Sequence, residues 1–240
     1  MRKKLPGIFE TLKRAVQLCI QSYPYMILFL ILQMGLGFFA PNFEGLMKYI
    51  EPTETNLSIP INWLHMGLYA LTQSLLSAGT LLNLYMLSQG KYISFSETCH
   101  IVGKRLIAIV IANLVFGIPL LFTTVFMTIA ISNHVLPSSW ILISWGAILI
   151  VFSTYALFTH LIAALGHSRG LSSLNHSWQL VSGYWLDTFL IFIAGLGCFE
   201  LMSSLINDHL LSQVFSAFIS GPCLGALFVV HYQHLLEAKR

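Results

Sequence analysis

Charge is what this sequence has least of. Asp, Glu, Lys and Arg together make up 9% of its 240 residues, against about 25% in an ordinary soluble domain. So few charges cannot clothe the surface of a water-soluble fold. The 56% hydrophobic content and the mean hydropathy of +0.77 point instead to lipid as the main solvent. The net charge of +3 is small and scattered, which excludes a nucleic-acid surface of the usual basic kind. Cysteine is scarce too. Cys19, Cys99, Cys198 and Cys223 show no CxxC and no close spacing. That argues against a disulfide framework or a structural zinc site and marks them as small apolar fillers. Nucleotide and nucleophile signatures are absent: no GxxxxGK followed by Ser or Thr, no GxGxxG after a strand, no GxSxG and no HExxH. Ser177 neighbours His176, but no carboxylate is placed to orient such a pair. The expectation is a protein that is not an enzyme and holds no cofactor and no metal.

What is present is long apolar runs. A helix crossing a bilayer needs about 20 mainly apolar residues. Six segments qualify, at roughly 22–40, 62–88, 106–130, 139–165, 184–206 and 213–235. The runs are continuous rather than alternating, so a membrane barrel is excluded. The fold class expected is all-α, a polytopic membrane protein of six transmembrane helices in one integral domain over 1–240. Arg2, Lys3 and Lys4 resemble the start of a signal peptide, but Glu10, Lys13, Arg14 and Gln17 interrupt the apolar stretch that should follow, so no cleaved leader is expected. Basic residues set the direction. The N-terminal arm, Lys91, Lys104, Arg105, Arg169, Lys239 and Arg240 all fall on one side if both ends share it. Among the 12 Lys and Arg residues, only Lys48 falls opposite, in a loop that also carries Glu44, Glu51 and Glu54. Both termini are therefore expected in the cytoplasm.

Three amphipathic interfacial helices are expected, each preceding an odd-numbered span. In the first, Ile8, Leu12, Val16 and Cys19 share a face, and Tyr23, Pro24 and Tyr25 lead into the span. In the second, Phe95, Thr98, Val102 and Leu106 do so. In the third, Leu171, Leu174, Trp178 and Val181 do so, with His176 on the wet side and Gly183 ending the helix. The odd spans also share glycines, in "MGLGFFA", "FGIPLLF" and "AGLGCFE". Gly35, Gly117 and Gly195 recur about every 80 residues, near one third of the 240. Each lies about 16 Å into its span, near the midplane. This describes three parallel pseudo-repeats, approximately 1–88, 89–166 and 167–240, about an axis along the membrane normal.

The candidate site residues follow from that layout. The glycines are either close-packing positions or a ring of weakened helices around a midplane cavity. Pro119 and Pro222 add two breaks. Glu200 is the one acidic side chain well inside a span, hence either a boundary residue or a proton or cation contact. A transport or polar site would comprise Glu200, Gly35, Gly117, Gly195 and Pro119. A lipid-modifying enzyme would instead use the inner-face histidines His160, His167, His231 and His234, the last two at i, i+3 in "HYQH". Interfacial hydrogen bonding is the plainer role for them. In span 2, Gln73, Ser74, Ser77, Thr80 and Asn83 either bond across helices or line a polar path; Gln33 and Asn113 carry the same alternatives.

The stretch "SLNHSWQLVSGYWLDTFLIFI" and the closing "GPCLGALFVVHYQHLLEAKR" resemble a group of bacterial inner-membrane proteins of unknown function. That group is similar to the membrane domain attached to some glycerophosphodiester phosphodiesterases. The phosphodiesterase domain itself has no counterpart here, so no catalytic residue carries over. The resemblance implies a multi-pass protein of a bacterial cytoplasmic membrane, tied to envelope or lipid biology. The function expected is a scaffold, a lipid-associated factor or a transport component. Its partners are membrane lipids and either a membrane protein or a second copy, with no nucleic acid. The alternative is a small secondary transporter with a midplane site. Reporters fused to the two termini should both give the cytoplasmic signal; opposite signals would require an odd number of crossings.

Overall fold

The computed structural model describes residues 5–37, 63–115, 117, 139–168, 171–204, 206, 211 and 214–239. Lys48, Pro119, Arg169, Arg240, the N-terminal Arg2 to Lys4, the outer half of the third expected span and most of the outer loops lie outside the described residues. The described chain is 88% helix with no strand. Its helices are α1 (Ile8–Gly37), α2 (Trp63–Ser88), α3 (Phe95–Lys104), α4 (Leu106–Val115), α5 (Ser139–Ala156), α6 (Thr159–Leu165), α7 (Ser172–Val181), α8 (Trp185–Ser204) and α9 (Gly221–Lys239). A π turn over Ser216–Ser220 enters α9.

Among the described residues, two stretches are long and apolar enough to cross a membrane: Ile8–Gly37 and Gly146–Leu165, which spans the α5–α6 break. The total rises to four if the bent pairs α3–α4 and α7–α8 each count as one crossing. Those two bends, of 70° and 100°, fall where the amphipathic sequence gives way to the apolar one. Local chemistry sets the ends of α3 and α7. In α3, Ser94 and Glu97 form a capping box: Glu97 N–H donates to Ser94 Oγ at 3.2 Å and Ser94 N–H to Glu97 Oε2 at 2.8 Å. Lys104 closes the helix where its carbonyls are unpaired. After α7, Gly183 adopts a φ of 92°, a left-handed value open to glycine at little cost, and the chain turns into α8.

The first unit departs from this plan. The expected surface helix and first span are one continuous 30-residue helix, about 45 Å long at the usual rise. Pro24 sits inside it and ends nothing. Its buried face is Thr11, Ala15, Leu18, Cys19, Ser22 and Met26, whereas Val16, expected inward, is half-exposed. Pro222, expected to break the last span, lies in the first turn of α9 directly after the π turn. The helical run begins before it, at Val214, so the break expected at Pro222 takes the form of that π turn.

The core gathers at the basic end of the bundle. α1, α2 and α9 pack together; α6 leans on α2, α7 on α6 and α5, and α8 on α9 and α5. Phe158, Leu161, Ile162, Leu84, Tyr232 and Leu235 are fully buried there. Tyr232 meets Phe158 at 5.6 Å and Tyr85 at 6.0 Å between ring centroids. Hydrocarbon already solvates apolar side chains, so helix contact in a membrane relies on close packing more than on burial. Small residues at the crossings provide it. A Cβ on Gly79 would strike the Phe29 ring of α1, and one on Gly225 would stand 3.2 Å from Leu84. Apolar side chains on the outside, such as Ile27, Leu28 and Ile31 on α1 and Leu186 and Leu190 on α8, remain exposed, as lipid contact requires.

One pairing escaped the sequence. Cys19 of α1 and Cys223 of α9 stand 204 positions apart, with Sγ atoms 3.1 Å from each other. They are free thiols, about 1 Å beyond bonding distance. Oxidation of the intact protein with copper-phenanthroline should join α1 to α9, read as a Cys19–Cys223 peptide by mass spectrometry. Cys99, exposed on α3, should not enter that link.

Candidate functional site at the basic end

A transmembrane helix that breaks exposes peptide groups no water can reach. The fourth expected span breaks between α5 and α6, at Leu157 and Phe158. Ser177 of α7 closes the gap. Its hydroxyl donates to the Tyr155 carbonyl at 2.6 Å and accepts the Phe158 N–H at 3.2 Å. The next residue, Trp178, stacks on Tyr155 at 4.0 Å with planes 16° apart. The "SW" of the polar stretch is thus a clamp on a broken span. It also explains a departure from expectation. The inward face of α7 is Ser173, Ser177, Leu180 and Val181, while Leu171 and Trp178 are largely exposed. Hydroxyls that satisfy backbone outrank leucine for the inner positions. On α3 a buried hydroxyl also reaches another helix: Thr98 accepts from Asn83 Nδ2 of α2 at 3.2 Å.

The far end of α6 is closed by an arginine. Gly166 ends the helix with a φ of 70°. Arg105, at the α3–α4 corner, donates from Nη1 to the Ala164 carbonyl. A Cβ on Gly166 would stand 2.7 Å from Arg105 Cζ, so glycine is required there twice over, for the backbone turn and for the seat of the guanidinium. Beside them opens a cavity of about 700 Å³ bordered by Lys104, Arg105, Ile107, Ile111, Gly166 and Ser168. His167 lies close by. Burial, then His176 and then Arg105 hold its pKa below the ordinary 6.5, so it is neutral at pH 7.

Two other inner-face histidines, His234 and His231, are held in structural bonds. Arg14 Nη1 approaches His234 Nε2 at 3.3 Å, and its Nη2 pairs with Glu10 at 2.7 Å. An arginine only donates, so Nε2 of His234 is the acceptor. Thr188 Oγ1 donates to the Tyr184 carbonyl at 3.0 Å and lies 3.0 Å from His231 Nε2. The threonine proton is thereby committed, which assigns the donor proton to His231 Nε2. The ring nitrogens of His160 are buried without a partner among the described residues. Nowhere among those residues do three His, Cys, Asp or Glu side chains gather as a metal site.

The midplane candidates stand in different surroundings. Gly195 is tightly packed: a Cβ there would meet Leu227 at 2.7 Å and Leu224 at 2.9 Å on α9. Gly35 has open space around it. Gly117 borders a cavity of about 520 Å³ with Ser74 and Asn113, between α2 and α4. Glu200 lies on the backbone of α8, but its side chain is outside the described residues, as is Pro119 altogether. The polar side chains of span 2 do come together with α1 and α9. Gln33, Tyr69, Gln73, Ser77 and Thr80 border a cavity of about 590 Å³, and Gln33 Nε2 donates to Ser77 Oγ at 3.4 Å. The Ser177 clamp and the Arg105 seat were not read from the sequence. Their only trace there is a serine on an otherwise inward face and a basic residue at a helix boundary. Compared with known proteins, the chain matches no family model, no curated protein and no solved structure.

Replacing Ser177 by Ala strands two buried peptide groups, a loss of roughly 1–3 kcal/mol. In a chain of this size that lowers the melting temperature by about 2–10 °C. Thermal unfolding in detergent should show that drop for Ser177→Ala and none for the exposed neighbour Gln179→Ala.

Proposed function

We propose that the chain is a six-span protein of the bacterial inner membrane, assembled from three units of interfacial helix and paired spans, with both termini in the cytoplasm. Its work is that of a lipid-associated scaffold at the cytoplasmic face, without catalysis. The observation that carries this reading is the pair of bent elements, 70° at α3–α4 and 100° at α7–α8. In each, an amphipathic helix of ten residues ends at a corner and an apolar helix leaves it at a steep angle. That is the geometry of a segment lying in the headgroup layer and then entering hydrocarbon. Lys104 and Arg105 at the first corner, Lys13 and Arg14 on α1 and Lys239 on α9 fit one cytoplasmic side in this reading. The inner-face histidines support a structural role, since His231 and His234 are engaged by Thr188 and Arg14. The likeness of "SLNHSWQLVSGYW" to uncharacterised inner-membrane proteins agrees with this assignment.

A second reading, a small secondary transporter, draws on the cavity bordered by Gln33, Gln73, Ser77 and Thr80. Its uncharged hydrogen-bonding walls suit a neutral polar solute. Two measurements separate the readings. The scaffold should resist carbonate washing and purify with phospholipid detectable by mass spectrometry, and Glu200→Gln should leave that lipid unchanged. Solute-dependent stabilisation of the purified protein that Gln73→Ala abolishes would favour the transporter. Purified protein with neither retained lipid nor solute response would overturn both.

A further inference from the structure

We infer that the cavity at the α3–α4 corner is a binding site for the phosphate of an anionic phospholipid headgroup. This rests on the lipid-associated reading and names the lipid class and the residues that take it.

The argument begins with unbalanced charge. Lys104 and Arg105 are consecutive cations bordering one cavity of about 700 Å³, a size typical of small-molecule sites. Neither has a carboxylate partner among the described residues, where the ion pair is Arg14 with Glu10. The acidic residue of their own helix, Glu97, is occupied at the far end by Ser94. Two uncompensated cations beside an apolar wall call for an anion.

The arginine is also fixed in place. One N–H goes to the Ala164 carbonyl, and the guanidinium rests over Gly166. That holds a planar fork of further N–H donors in one orientation, the arrangement that recognises phosphate oxygens. Lys104 is exposed at the rim and supplies a mobile second charge. Ser168 also borders the cavity, its hydroxyl donating to Ser173 Oγ at 3.1 Å.

The cavity then changes character along α4. Past the cations its border is Ile107, Ala108 and Ile111, and Ile107 is almost fully exposed. A free phosphate ion has no use for that wall, whereas a headgroup with acyl chains follows it from charge into hydrocarbon. The corner sits where the interfacial helix ends, so the polar and apolar parts lie at the depths a phospholipid requires.

The test uses the full-length protein purified in mild detergent, delipidated, and titrated with phosphatidylglycerol or phosphatidylethanolamine under native mass spectrometry. The wild type should retain phosphatidylglycerol in preference. Lys104→Gln, whose side chain anchors nothing among the described residues, should weaken that retention about tenfold or more, the value of a charge-assisted hydrogen bond. Lys13→Gln, an exposed cation on α1, should change it less than twofold. Arg105→Gln should match Lys104→Gln if it folds, with melting temperature as the check. If Lys104→Gln binds as the wild type does, the site falls while the lipid-associated reading stands. If the wild type retains no lipid of either kind, both fall. If millimolar inorganic phosphate displaces the lipid from the wild type and protects Lys104 from acylation without it, the cavity is a free-phosphate site and the lipid assignment is overturned.

Discussion

The constraint on which this structure turns is that peptide groups facing hydrocarbon must find partners within the protein. An unbroken helix meets it internally. This chain breaks or bends its helices at the basic end, and side chains from elsewhere reach several of those helix ends. Ser177 serves both sides of the gap between α5 and α6. Arg105 serves the last turn of α6. Lys239, near the end of α9, donates to the Gln179 carbonyl of α7, and Gln233 of α9 reaches Ser88 at the end of α2. The packed core includes Phe158, Leu180, Val181, Tyr232 and Leu235, close along the chain to several of these residues.

The helices themselves were legible from composition and period. Apolar runs gave most of their positions, and the bends at Arg105 and Gly183 fall where amphipathic pattern yields to apolar. The Thr98–Val102 face of α3 packs inward as its spacing requires. α1 was less legible. Proline after a run of polar residues reads as a corner, yet α1 runs as one helix through Pro24 and packs against α2 and α9. The face of α7 was misassigned for a related reason. Hydrophobic period assumes that the interior is apolar, and here it contains an unfinished backbone.

The site residues divide the same way. Glycines at a regular spacing suggested a common midplane feature, but Gly195 meets two leucines of α9 while Gly35 meets nothing. Spacing along a chain does not say which neighbour a glycine admits. The Cys19–Cys223 contact joins positions near opposite ends of the sequence, and no local pattern signals such a pair. His231 and His234 do share a helical side as their spacing indicates, but their partners, Thr188 and Arg14, come from two other helices. Lys104 and Arg105, where the sequence reading ends the interfacial helix, stand at the 70° bend between α3 and α4.

The bond from Arg105 to the Ala164 carbonyl spans 59 positions, and this has a bearing on biogenesis. A ribosome delivers the arginine well before its acceptor exists. Until α6 emerges, the guanidinium cannot make this bond. The bond between the α3–α4 corner and the end of α6 therefore forms only after both have been made.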